Sequence, residues 1–395
     1  MKNTNLTQVG IIGSGPSGLL LGQLLQNAGI ESIIIDRQDR DHILGRIRAG
    51  VLEWGSVDTL DQAGVGERMR AEGIPHSGFE LAFDGSQHRI DLEALTGKQV
   101  MVYGQTEVTK DLIKAREQFG GQTIYHVDDV TIDAVSSPKP EVNFLVSGEA
   151  KKITCDFVVG CDGFHGVSRK AIPSDILKTY ERVYPFGWLG LLTEQPPVSD
   201  ELIYANHENG FALCSMRSAT RSRYYLQCST DDDVSNWSDD RFWKELRIRI
   251  GPQYADKLQA GPSIEKSIAP LRSFVAEPMQ YGNLFLAGDA AHIVPPTGAK
   301  GLNLAISDIR VLANAFLEFY SSGKKNKLDS YSSTCLSRIW KVERFSWYLS
   351  QLMHQFPQHS AFEKKMQRAE FDYICQSEAA SKSIAENYVG LPLEI

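Results

Sequence analysis

The chain has 395 residues, room for two or three domains at roughly 150 residues each. Its 42% hydrophobic and 23% charged residues are a globular composition and exclude disorder as the main state. With 41 basic against 49 acidic side chains the net charge is −8, so there is no general attraction for nucleic acid or an anionic membrane. Six cysteines, at 155, 161, 214, 228, 335 and 375, are scattered, with no CxxC and no spacing to histidine that suits zinc. They read as small apolar residues in a reducing cytoplasm, with no disulfide frame and no metal site. No run of about 18 apolar residues occurs, so no transmembrane helix is expected. The apolar stretch over 9–25 would suit a signal peptide but is broken by the glycines and proline of 13–18.

In chain order, Val9-Gly-Ile-Ile is a short apolar strand that stops at Gly13-Ser-Gly-Pro-Ser-Gly18, a G-x-G-x-x-G. Leu19, Leu20, Leu21, Leu24, Leu25 and Ala28 then keep helical spacing as far as Gly29. Ser32-Ile-Ile-Ile-Asp36 is a second buried strand ending in a carboxylate. Strand, glycine turn, helix, strand and acid form a dinucleotide-binding unit. Gly13 allows the tight turn, Gly15 the approach of a pyrophosphate, Gly18 the packing of helix on strand, and Asp36 suits a ribose diol. The fingerprint alone does not separate FAD from NAD.

Next, Arg46 to Val51 places two guanidiniums near the dinucleotide end or on a solvated face. Residues 100–118 predict a short strand and a helix opening near Thr106; 142–147 and 153–159 predict strands, the second running into Gly160-Cys-Asp-Gly163. A β-rich segment follows, over 185–192, 201–204 and 211–228. Within it, Ser215, Arg217, Arg223 and Tyr225 share one face by parity, either in one strand or in a hairpin turning near Ala219 and Thr220. In that hairpin Arg217 would pair with Arg223, and Ser215 with Tyr225. Two arginines on one face want an anion between them or solvent around them. Asn283 to Gly288-Asp289 is again a buried strand ending in an acid. The loop Pro295 to Asn303 then leads into a helix whose free N–H groups can face a cofactor.

Gly13 to Gly18 with Asp36, Cys161-Asp162-Gly163, and Gly288-Asp289 through Asn303 together resemble the single-component flavoprotein aromatic hydroxylases. Arg46 to Val51, Tyr204, the 215–225 segment, Ile293-Val-Pro-Pro-Thr297 and Ala385-Glu-Asn-Tyr388 look more narrowly like the branch that acts on 4-hydroxybenzoate. The likeness runs from Val9 to Pro392. It implies an α/β fold, with a Rossmann-like FAD-binding domain, a mostly β substrate domain and C-terminal helices. We read these over 1–182, 183–285 and 286–395; Trp340, Phe345, Trp347, Leu349 and Leu352 in the last would suit a dimer contact or core packing. The implied activity is hydroxylation of 4-hydroxybenzoate to protocatechuate with NADPH and O2 through a flavin C4a-hydroperoxide, in a cytoplasmic homodimer.

Residue by residue, the resemblance implies that Ser17, Asp36, Arg46, Ile47, Arg48, Ala49, Gly50, Val51, Gln105, Asp289, Leu302 and Asn303 hold FAD beside Gly13, Gly15 and Gly18. Arg223 would support the flavin. Arg217 would clamp the substrate carboxylate with Ser215, Met216 and Tyr225 around it. Tyr204 would meet the phenolic oxygen and pass its proton to Tyr388, with His76 at the solvent end and the Pro296 carbonyl against the same hydroxyl. A phenol with a pKa of about 10 needs such a pair and positive surroundings to ionise at neutral pH. For the nicotinamide, Arg37 and Gln38 fit NADPH, with His165, Arg169 and Arg272 as phosphate candidates. Asp39, Asp41 and His42 keep NADH open. Open too are a sister hydroxylase of another aromatic acid, a flavin reductase, and a flavin-binding redox sensor without turnover.

Overall fold

The computed structural model describes residues 4–45, 50–83 and 85–393; the expected contacts of Arg46, Ile47, Arg48 and Ala49 lie outside them. Val9–Ile12, buried at all four positions, pairs in parallel with Ser32–Ile35 on one side and Phe157–Gly160 on the other. Strands covered on both faces read as unbroken apolar runs, which is why this part of the sheet was visible in the sequence. The sheet continues through Leu284–Leu286 to Gln280–Tyr281 at one edge and ends at Thr123–Ile124 at the other. The helices Pro16–Asn27, Gln105–Gln118 and Gly301–Ser322 cover it, the first packing against both others.

A second sheet of eight strands carries the substrate end, and Lys178–Thr193 and Ser263–Glu277 form its spine. Of the two arrangements left open, the chain forms the hairpin: Ala212–Ser218 and Arg221–Cys228 turn at Ala219 and Thr220. Its register differs: Ser215 pairs with Arg223 and Leu213 with Tyr225. A bulge between Met216 and Ser218 absorbs the shift and re-aims Arg217 out of the ladder.

The chain does not divide at 183 and 286. Gly78–Phe83 and Ser86–Asp91 join the eight-stranded sheet from the N-terminal third, and Gln280–Tyr281 and Leu284–Leu286 belong to the FAD-side sheet. Spatial units here are interleaved in sequence because parallel pairing needs long crossovers. One face of the large sheet packs Tyr204, Leu213 and Trp188 with Tyr388 and the C-terminal helices; the other packs Ile203, Cys214 and Tyr224 under the helix Asp239–Ile250. Phe345, Leu349 and Leu352 are buried in the first of these cores, so packing accounts for them, whereas Trp340 and Trp347 are exposed.

Candidate active site

Three sequence motifs far apart in the chain meet at one point. Gly13, at φ +103°, lies so close to the strand end at Cys161 that a Cβ would stand 2.3 Å from the Cys161 carbonyl oxygen. Gly288 presses on the helix Pro16–Asn27, where a Cβ would stand 2.7 Å from Ser17 Oγ. At Gly18 a Cβ would overlap the Gly13 carbonyl oxygen. Gly15 differs: among the described residues, a Cβ there would meet nothing within 4 Å. Its bareness serves no internal contact, and it caps a helix N-terminus whose N–H groups suit a pyrophosphate. Asp36 accepts from the Ser14 N–H at 2.6 Å and the Ser14 hydroxyl at 2.9 Å, which locks the acid to the glycine loop. Asp289 stands exposed at the loop's mouth. These residues fit FAD.

Val51–Glu53 pairs with Val100–Val102, and Gly50 lets the chain lie on the Tyr103 carbonyl. That sets Val51 opposite Val102, three residues before Gln105 opens its helix, and Asn303 reaches the same strand. The Asn303 side chain is fully engaged there. Its oxygen accepts from Glu53 N–H and Ser56 Oγ–H, and its amide donates to the carbonyls of Val51 and Ala299. Only its main chain and that of half-buried Leu302 remain for a cofactor.

At the substrate end, Tyr204, Leu213 and Tyr225 form one row across three strands. The hydroxyls of Tyr204 and Tyr388 are 3.0 Å apart in a buried setting. Burial pushes Tyr204 up to about 12 and raises Tyr388 as well, so both stay protonated near neutrality. Arg217 gives one Nη1–H to the Met216 carbonyl at 2.9 Å. Its Nε and Nη2 are buried and have no acceptor among the described residues. Those two atoms form one edge of the guanidinium, the edge that matches a carboxylate. Burial lowers the Arg217 pKa, with Tyr225 opposing, so an anion at this edge is strongly favoured.

Several expected roles change. Arg223 is buried but not free. It pairs with Glu265 at 2.6 Å and donates to Ser267, in space that Gly190 leaves by lacking a Cβ, so its charge is neutralised before it can support a flavin. Ser215 gives its one hydroxyl proton to the Arg223 carbonyl at 2.8 Å, leaving none for a carboxylate in this rotamer. His76 was expected to close the relay at its solvent end. It is buried in Ile74–His76, burial lowers its pKa, and neither ring nitrogen has a partner among the described residues. The Pro296 carbonyl accepts from Ala299 N–H and keeps a second lone pair. Arg169 spends its fork on the Ala290 and Phe164 carbonyls, and Arg272 pairs with Glu181, so neither is a free phosphate ligand. Both guanidiniums flank Phe164, beside exposed His165. Arg37 is exposed, and Gln38 N–H binds Asp36.

Sequence reasoning missed three buried groups. Lys300 donates at 2.7 Å to both Glu53 and the Tyr388 carbonyl, and Arg338 holds the other Glu53 oxygen. A lysine inside a glycine loop was the only signal, since its partner is 247 residues away. Asp308 accepts from His292 at 2.6 Å and from Gly288 N–H at 3.0 Å, fixing the second glycine loop. His354, the third, lies behind the substrate face, bonded to Trp188.

A helix-flanked sheet with two glycine loops, joined to a β substrate face with a buried tyrosine pair, defines a flavoprotein monooxygenase. Residues 6–346 match the family described as FAD binding domain, and the chain belongs to it. It is an FAD-dependent monooxygenase. It is 59% identical over 394 residues to the p-hydroxybenzoate hydroxylase of Acinetobacter baylyi, covering 99% of this chain and 97% of that one. The 6-hydroxy-3-succinoylpyridine 3-monooxygenase HspB of Pseudomonas putida is 23% identical over 88% of this chain and 89% of its own. Among solved structures, the p-nitrophenol 4-monooxygenase PnpA of Pseudomonas putida superimposes with a TM-score of 0.83 at 16% identity, covering 99% of this chain and all of that one. No helix among the described residues is long and apolar enough to cross a membrane.

Proposed function

We propose that this chain hydroxylates 4-hydroxybenzoate to 3,4-dihydroxybenzoate, with NADPH as reductant. The observation that carries the reading is the buried Arg217 edge, Nε and Nη2 without an acceptor among the described residues, on the sheet face that also holds the Tyr204–Tyr388 pair. The substrate carboxylate takes the Arg217 edge as a bidentate partner, and the phenol then points along the sheet toward Tyr204. FAD, when bound and reduced by NADPH, would activate O2, one atom of which enters the ring while the other leaves as water.

The chain's own part is to make the ring electron-rich. Tyr204, held neutral by burial, cannot store an added proton. It therefore accepts the phenolic proton only while passing its own to Tyr388, 3.0 Å away, and Tyr388, also held neutral, releases its own in turn, with His76 as acceptor on the way to solvent. The Pro296 carbonyl, with one lone pair left, can hold the same hydroxyl until the proton moves. Burial of the pair keeps water from the reacting carbon.

His165, Arg169 and Arg272 around Phe164, with Arg37 and Gln38, support an NADPH footprint, weakened by the bonds that Arg169 and Arg272 already make. The reading carries with it a cytoplasmic location, in keeping with six free cysteines, and a homodimer, to which exposed Trp340 and Trp347 would offer a surface. Sedimentation tests the latter.

The deciding experiment titrates the flavin absorbance of the holoenzyme with a panel of aromatic acids. 4-Hydroxybenzoate should bind best and be converted to 3,4-dihydroxybenzoate; preference for another acid overturns the assignment. Arg217→Lys keeps the charge but loses the planar fork, and should weaken 4-hydroxybenzoate by about tenfold or more, from a loss of about 1.5–3 kcal/mol.

A further inference from the structure

We infer that His354 is a positioning residue that sets the preference of the site for para over meta hydroxybenzoates, an inference that rests on the aromatic-acid reading above. His354 follows the helix Tyr331–Met353 and is wholly buried. Its Nδ1 lies 3.0 Å from the Ser350 carbonyl oxygen and its Nε2 lies 2.8 Å from the indole nitrogen of Trp188. A carbonyl only accepts and an indole N–H only donates, so the tautomer is determined. Nδ1–H donates to Ser350, and Nε2 accepts from Trp188. The ring is also held in plane, stacked on Phe186 at 4.6 Å with an 8° tilt and against Phe211 at 4.5 Å. Burial pushes its pKa down to about 3, so the acceptor persists at working pH.

Trp188 is where the two ends of the site join. Its indole packs 5.0 Å from Phe211, which stands 6.1 Å from Tyr204 at the phenol end. It also packs 5.1 Å from Tyr225, whose hydroxyl acts on Arg217 at the carboxylate end. One rigid joint therefore sets the separation between proton acceptor and carboxylate clamp. With its N–H spent on His354, the indole offers only carbon to this face. A para hydroxyl reaches Tyr204, whereas a meta hydroxyl turned toward the indole loses its hydration without gaining a partner.

His354→Leu removes the acceptor; His354→Gln retains one, because its amide oxygen can take the indole N–H. Each holoenzyme is titrated with 4-hydroxybenzoate and 3-hydroxybenzoate by flavin absorbance, and FAD content is measured separately. The leucine variant should narrow the ratio of the two dissociation constants about tenfold, while glutamine stays within about threefold of the native ratio. FAD content should be unchanged. If the leucine variant does not fold, Trp188→Phe and Trp188→Phe/His354→Leu make the same test: without an indole N–H, loss of the acceptor should not alter the ratio further. A native enzyme that binds neither acid refutes the aromatic-acid reading. A native enzyme that prefers the para acid, with the leucine variant unchanged, refutes the role of His354 alone. So does a glutamine variant as impaired as leucine, or a double variant worse than Trp188→Phe.

Discussion

Lowering the pH from about 7.5 to about 5 should cost the folded protein about 2 kcal/mol through His354 alone. In the unfolded chain this imidazole takes up a proton with a pKa of about 6.5. In the fold, burial pushes it down to about 3 and the one lone pair is committed to Trp188. Between those values only the unfolded state binds the proton. The contribution of His354 is therefore intact above about pH 6.5, falls steadily below it, and levels off near pH 3; the loss reaches about 3 kcal/mol at pH 4. His354→Gln cannot ionise but keeps an acceptor for the indole. It should be less stable than the native protein at pH 7.5, having lost the stacking on Phe186 and Phe211, and the gap should close by about 2 kcal/mol at pH 5. Urea unfolding with excess FAD at both pH values measures this, and the difference between the two proteins cancels every other titrating group. A gap that does not change with pH would refute the reasoning, because it would mean that the buried ring is protonated in the fold or exposed at little cost.

Gly15→Val should fold normally yet purify without yellow colour, since its Cβ would meet nothing within 4 Å among the described residues and would obstruct the pyrophosphate; Gly13→Ala, aimed at the Cys161 carbonyl, should lose stability instead. Thermal melts with and without FAD separate the two. Tyr204→Phe leaves the Arg217 edge intact, so 4-hydroxybenzoate binding should hold while product per NADPH consumed falls and hydrogen peroxide rises; a native yield would end the relay through Tyr388. NADPH should outperform NADH in steady state, with an affinity that falls more steeply with salt because the 2′-phosphate adds charge. Equal use of both would show that the bonds already made by Arg169 and Arg272 leave too little positive field.

Local pattern was enough to read the FAD side. Val9–Ile12, the helix Pro16–Asn27 and Ser32–Ile35 are consecutive, and each is specified by its own apolar spacing and by Gly13, Gly15 and Gly18. The hairpin turn at Ala219 and Thr220 was one of two readings the sequence allowed, because a two-residue connection without Gly, Pro or Asn carries little turn signal. What only the tertiary structure decided is how each charged or polar side chain spends its bonds. Arg217 and Arg223 look alike in the sequence. A bulge leaves one with an unpaired edge, while Glu265, 42 residues on, takes up the other. His76, expected at the solvent end of the relay, is itself buried; Lys300 finds Glu53, and His354 finds Trp188 across 166 residues. A hydrogen bond depends on position to within a few tenths of an ångström, and that position comes from packing between elements whose separation in the chain carries no periodic signal. The fold class is therefore written in local spacing, and the chemistry of the site in contacts that exist only once the sheets have packed.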